Sequence, residues 1–168
     1  MLPELTPQEK NRYNRHLRIP EIGADGQRKL KAASALIVGV GGLGSPLALY
    51  MAAAGFGRIG LVDSDVVSLS NLQRQVLHTD DAVGMPKTRS AAARLRAANP
   101  DVRTELLDER LTADNAGRCV GGWDVVIESA SFPDPPAMRA HLASIPGLRG
   151  CLLIGDFPIP WYRWVSPS

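Results

Sequence analysis

Along the chain, uninterrupted apolar runs alternate with stretches whose apolar residues return every three or four positions. Residues 35–40 (ALIVGV) are apolar on both pleats, the pattern of a central parallel strand covered on both faces. Further strands are predicted over 58–65 (RIGLVDSD), which ends in acids, over 102–107 (VRTELL) and over 124–128 (DVVIE). Residues 45–54 are alanine-rich and helical, with Gly55 and Gly57 to stop them, and residues 86–98 make a further helix closed by Asn99-Pro100. Nearer the start, Thr6-Pro7-Gln8-Glu9 has a capping-box pattern with proline at the first helical position. A helix therefore begins there, carries Tyr13, Arg15 and His16, and ends near Ile19-Pro20; residues 21–34 read as a polar, glycine-bearing link. Strands separated by helices form a βαβ series, hence an α/β fold with a mostly parallel sheet and helices on its faces.

Beyond Glu128 the pattern weakens. Pro133, Pro135, Pro136, Pro146, Pro158, Pro160 and Pro167 crowd the remainder, and proline removes a ladder donor and disrupts helix interiors. Residues 150–155 (GCLLIG) are one possible strand there. The chain thus divides into an N-terminal helical segment (1–34), a βαβ core (35–128) and a divergent, proline-rich part (129–168), with the sheet incomplete at its C-terminal end.

Candidate chemistry begins where the first strand ends. Gly39 to Gly44 (GVGGLG) follows a strand directly and opens a helix in the G-x-G-x-x-G arrangement, placing Gly39, Gly41, Gly42 and Gly44 at a helix N-terminus. Unpaired N–H groups and the positive end of the helix dipole there suit a phosphate. About 20 residues on, Asp63 ends the second strand, where a carboxylate can accept from ribose hydroxyls. Together these make the βαβ core nucleotide-binding and the sheet Rossmann-like, and point to an adenine nucleotide. The following segment sharpens the choice: Asn71, Gln73, Arg74 and Gln75 bring an amide, a guanidinium and two more amides, and Lys87 follows. Arg74 and Lys87 can clamp a triphosphate, arginine bidentately and lysine as a mobile point charge. A dinucleotide such as NAD needs less charge, so an NAD-dependent oxidoreductase leaves this block without a purpose. Arg89, Arg94 and Arg96 read as solvated helix-face residues.

Composition narrows the partners. Nineteen Lys and Arg stand against seventeen Asp and Glu, so no strong field for nucleic acid or an acidic membrane is implied. No run approaches the roughly 18 apolar residues of a membrane helix and the start lacks a signal-peptide pattern, which makes cytoplasm the expected compartment. Cys119 and Cys151 have no C-x-x-C spacing and read as reduced thiols without a zinc site; His16, His78 and His141 show no metal spacing either, and read as solvent-exposed or capping residues. Trp123, Trp161 and Trp164 read as packing or tail residues.

The segments RYNRHL, GQRKLKAASALIVGVGGLGSP and AAAGFGRIGLVDSDVVSLSNLQRQVLHTDDAVGMPK closely resemble the bacterial ubiquitin-activating-like adenylyltransferases of the ThiF, MoeB and HesA type, over about residues 8 to 128. The resemblance implies ATP and magnesium as cofactors and adenylation of the C-terminal glycine of a ubiquitin-fold sulfur carrier, of the molybdopterin or thiamin type, by a homodimer. It implies the glycine loop on ATP, Asp63 on the ribose, and Asn71, Arg74 and Lys87 around the phosphates. Arg15 resembles the arginine that reaches the partner subunit's ATP.

One departure stands out. The family's fourth strand ends in a D-x-x-D-N motif whose second aspartate helps hold magnesium; here Glu128 falls at the first acid, Ser131 at the second and Phe132 at the asparagine. A neutral hydroxyl is a poor partner for a hard dication. Glu128 or Asp134 reaching the metal from nearby is one reading; a nucleotide-binding or interaction relative with little or no adenylation is a second; a truncated or frame-disrupted end is a third. The sequence favours a mixture of the last two.

Overall fold

The computed structural model describes residues 1–129 and the strand path of 150–153. Five parallel strands, β1 (Ser34–Val38), β2 (Arg58–Val62), β3 (Arg103–Leu107), β4 (Val125–Glu128) and β5 (Gly150–Leu153), form one sheet in the order β3-β2-β1-β4-β5. The central strand β1 is buried at every position, as its two-sided apolar run requires. Helices α4 (Gly44–Ala54) and α5 (Lys87–Ala98) cover one face, where Ala48, Met51, Ala52, Ala91 and Leu95 pack on Ala35, Ile37, Ile59, Leu61 and Ile127. Helix α6 (Ala113–Val120) covers the other, packing Ala116, Cys119 and Val120 with Trp123 on Leu36, Val38, Val62 and Val126. The alternation along each strand thus feeds two cores. After β3 the chain crosses to the far side of β1, so the winding reverses between β1 and β4, and a crevice opens at their carboxyl ends.

The N-terminal part differs from the expected single helix and link. The Thr6 capping box forms as the sequence predicts, with Thr6 N–H donating to Glu9 Oε2 (2.7 Å) and Glu9 N–H to Thr6 Oγ1 (3.2 Å). The helix then breaks at Tyr13 (φ −96°, ψ 16°), giving α1 (Pro7–Arg12) and α2 (Asn14–Leu17); the Tyr13 ring is 4% exposed and its hydroxyl takes a hydrogen bond from Asn99. The expected link contains a helix, α3 (Gly23–Ala32). Its buried residue is Gln27, an amide rather than an apolar anchor, so the apolar periodicity that would announce it is missing. Helix α6 was likewise not expected between the third and fourth strands, although Thr112 and Asn115 close a capping box at its start. The strands end earlier than predicted, β1 at Val38 and β2 at Val62, which leaves Gly39 and Asp63 in the loops that follow. Among the described residues no helix is long and apolar enough to cross a membrane.

Candidate nucleotide site

The crevice is a cleft of about 290 Å³ lined by Gly39, Gly41, Asp63, Asp65, Lys87 and Ser129 among others. Its floor is the turn from β1 into α4. Gly39 leaves the strand with φ 86°, its N–H donating to Val62 O (2.7 Å). The turn is so tight that a methyl group built at Gly44 would overlap the Gly39 carbonyl oxygen and the Ser129 hydroxyl, so glycine is a steric requirement there. Ser129, just past β4, clasps the turn: its N–H donates to Val38 O (2.9 Å) and its Oγ to the Val38 and Gly39 carbonyls (2.9 and 2.5 Å). No described group accepts from the N–H of Gly41 or Gly42, which leaves those donors for a ligand at the start of α4.

Asp63 stands where the spacing placed it, and the structure gives it a second duty. Its Oδ2 accepts from Val40 N–H and its Oδ1 from Asp65 N–H, both at 2.9 Å. A carboxylate oxygen has two acceptor positions, so each retains one for a hydroxyl. Lys87, 5% exposed at the start of α5, reaches the cleft wall, with Nζ 2.8 Å from Asp65 Oδ2. The ammonium is held by one carboxylate and keeps further donors. Arg74 and Gln75 stand against the glycine loop rather than in the cleft wall: a methyl group at Gly42 would sit 3.6 Å from Arg74 Cδ, and one at Gly41 would sit 3.5 Å from Gln75 Nε2. Gln75 is buried, and its Oε1 has no partner among the described residues. Asn71 closes a short 3-10 turn (Leu69–Asn71) and accepts from Arg74 through Oδ1 (3.4 Å).

Arg15 lies elsewhere. It follows Tyr13, which packs on Gly55 at the far end of α4 from the glycine loop, about 16 Å away along an 11-residue helix. Its side chain is exposed and does not line this chain's own cleft.

Several residues of the site escaped the sequence reading. Asp65, Ser129 and Glu109 to Leu111 line the cleft because each follows the carboxyl end of a strand, a rule of parallel sheets that the strand predictions already contained. His78 corrects an expectation: it is 5% exposed rather than solvated, its Nε2 2.9 Å from Val40 O and its Nδ1 2.9 Å from Ser90 Oγ. Burial pushes its pKa below the ordinary value, and neighbouring Lys87 adds to this, against the opposing pull of the Val40 hydrogen bond and Asp63. His16 is half-buried and hydrogen-bonded to Gln27 (2.8 Å). Cys119 is a buried free thiol whose pKa is raised by burial and by Glu109. Among the described residues there is no group of three or more histidine, cysteine or acidic side chains able to hold a metal. The expectations placed on Ser131, Asp134, His141, Trp161 and Trp164 lie outside the described residues.

Comparison with known proteins agrees with this geometry. The ThiF family matches residues 13–146. The SAMP-activating enzyme E1 of Haloferax volcanii is 46% identical over 134 residues, 79% of this chain and 50% of that protein. The sulfur carrier protein adenylyltransferase of Thermus thermophilus is 46% identical over 129 residues, 76% of this chain and 48% of its own length. Among solved structures, the Escherichia coli tRNA N6-threonylcarbamoyladenosine dehydratase TcdA, in complex with AMP, superposes with a TM-score of 0.77 and 29% identity over 91% of this chain and 61% of that one. The chain spans about half the length of the curated relatives it matches.

Proposed function

Since the chain belongs to the ThiF family, we propose that its cleft binds ATP and that it serves adenylation of the C-terminal glycine of a ubiquitin-fold sulfur carrier. The observation that carries this reading is the convergence, in one cleft, of the glycine-loop donors, the Asp63 carboxylate and the buried Lys87 ammonium. Names of relatives supply the chemistry: two are an activating enzyme and a sulfur carrier adenylyltransferase, and a neighbour of known structure holds AMP.

The residues divide the work as follows. Asp63 accepts from ribose hydroxyls with its remaining lone pairs, and Gly41 and Gly42 N–H groups donate to phosphate oxygens. Lys87 stabilises charge on the phosphates, with Arg74 and Asn71 reaching over the loop. In the reaction a carrier carboxylate oxygen bonds to the α-phosphorus, the bond from that phosphorus to the bridging oxygen breaks, and pyrophosphate leaves with the electron pair. Preorganised cations lower the barrier to such charge build-up. Magnesium would arrive on the triphosphate, since this ion keeps several waters and takes one or two carboxylates beside substrate phosphates. Arg15, exposed and remote from its own cleft, suits the nucleotide of a second copy in a homodimer.

Ser131, in place of the aspartate expected from the family resemblance, favours a second reading in which nucleotide binds without turnover. Titration with ATP, with and without magnesium, tests the first step; no binding by a folded chain sinks both readings. Pyrophosphate exchange in the presence of a ubiquitin-fold carrier then separates them. Under the second reading exchange is absent in the natural chain; its appearance in Ser131→Asp means the rest of the scaffold is intact, and no gain means the defect is wider.

A further inference from the structure

His78 lies directly behind the glycine loop, and the chemistry assigned to the cleft does not use it. A carbonyl oxygen only accepts, so the 2.9 Å contact to Val40 O requires the proton on Nε2; Nδ1 then accepts from the Ser90 hydroxyl on α5. The ring is therefore a neutral Nε2–H tautomer, in keeping with the fall in pKa that burial causes. Ser45 Oγ reaches the same carbonyl at 3.2 Å, and Asp63 takes the Val40 N–H, so both polar backbone atoms of this fully buried residue are gripped.

A trans peptide points its carbonyl and its N–H in opposite directions. With the Val40 carbonyl drawn back toward His78, the N–H of the same peptide unit, which belongs to Gly41, is turned away from the core, and Gly41 lines the cleft. Glycine imposes no preference of its own at this bond, because it tolerates either flip. On the glycine side the orientation is left to contacts, and His78 and Ser45 are the side chains that hold this carbonyl.

We propose that His78 is a positioning residue for the nucleotide: through its Nε2–H it fixes the Val40–Gly41 peptide plane so that the Gly41 N–H meets a phosphate oxygen. The proposal rests on the ATP reading above, and its test contains a readout that does not. His78→Phe fills the ring volume without a donor, and His78→Gln restores an N–H at a similar reach. Affinity for ATP falls about tenfold in His78→Phe, the order expected for a spoiled hydrogen bond to a charged group, and most of it returns in His78→Gln. Adenosine, which has no phosphate, binds all three forms alike. In the ligand-free protein the Gly41 amide, from which no described group accepts, gives one sharp N–H resonance in the natural chain and in His78→Gln and a shifted or broadened one in His78→Phe, where the peptide plane is released, and imidazole nitrogen spectra show the Nε2–H tautomer at neutral pH.

Equal loss of ATP and adenosine would mean general collapse of the site and overturns the proposal, as would unchanged ATP affinity in folded His78→Phe or an Nδ1–H tautomer. If the natural chain binds no ATP, the functional reading fails, and the Gly41 amide resonance still decides whether His78 holds the peptide. If His78→Phe does not fold, Ser90→Ala, which frees Nδ1 and lets the proton migrate, gives the same comparison in milder form.

Discussion

At the carboxyl end of β1, polar groups grip the glycine turn: buried His78 and Ser45 hold the Val40 carbonyl, while half-buried Asp63 and Ser129, which line the cleft, hold the Val40 N–H and the Val38 and Gly39 carbonyls. At the opposite end of α4 the same kind of grip recurs. Asn99 Nδ2 donates to Ala52 O and to the Tyr13 hydroxyl, both at 2.8 Å, while Gln27 Nε2 donates to Ala54 O (2.8 Å) and its Oε1 meets His16. There Gly55, left-handed at φ 91°, admits Tyr13 and Gln27 where a side chain would stand. The difference is what remains afterwards. At the far end the carbonyls, amides and ring groups are turned on one another, and the result is a seam that seats α1 to α3. At the loop end two of the restraining groups, Asp63 and Ser129, face the cleft themselves, and N–H donors and an ammonium are left over beside them. Buried polarity that closes on itself is architecture; polarity with donors left over makes a site.

Substitutions at the two ends should therefore separate binding from stability. Gly44→Ala drives a methyl group into the Gly39 carbonyl and the Ser129 hydroxyl, so the turn must move; ATP affinity measured by calorimetry is expected to fall by about a hundredfold, the order expected when two hydrogen bonds to a charged phosphate are spoiled. Retained affinity would show that the turn is not the phosphate seat. Asn99→Ala strands the Tyr13 hydroxyl and the Ala52 carbonyl, and denaturant unfolding should report about 2–3 kcal/mol less stability with ATP affinity of the folded fraction unchanged. A matching drop in affinity would show that the two ends are coupled after all. Lys87→Met keeps the buried stem and removes the charge, for an expected loss of about tenfold in ATP affinity and little change in the unfolding midpoint.

The smallest effect concerns Glu9, buried against α3 with Lys31 Nζ 2.7 Å away. Burial works against its ionisation, but the hydrogen bonds from Lys31 and Thr6 outweigh it and hold its pKa below the ordinary value. A depressed folded pKa means that this contribution is complete above the unfolded carboxylate's pKa and is lost as the pH falls through the folded one. Glu9→Gln should flatten that acid limb by about 1 kcal/mol, with no change in ATP affinity at neutral pH. An unaltered limb would assign acid sensitivity to other groups.

The central strands could be read because two-sided burial leaves unbroken apolar runs, and the glycine turn because steric necessity selects glycine at fixed spacing. Asp63 was legible as an acid at a strand end, and Lys87 as a cation following the amide and guanidinium block at 71–75. The rest depended on contacts between distant segments. Gln27 anchors α3 through an amide whose partners are His16 and Ala54 O, and nothing in the residues around it announces that. Small residues, Ala116 and Cys119, anchor α6, which is eight residues long. His78 reads as an ordinary polar residue until Val40 and Ser90 are seen on either side of its ring, 38 and 12 positions away.

One consequence concerns the margin of the sheet. Among the described residues β3 pairs on one side only, with β2, so its other row of backbone groups offers a template for a strand from another molecule. It has five residues, of which Arg103, Glu105 and the apolar Leu106 are exposed, and the exposed acids Asp101 and Asp108 flank it. A second copy docking there would have to take Arg103 and Glu105 out of water and disturb the ion pair of Glu105 with Arg58 (3.2 Å), so this margin is guarded by the cost of burying charge instead of by cover.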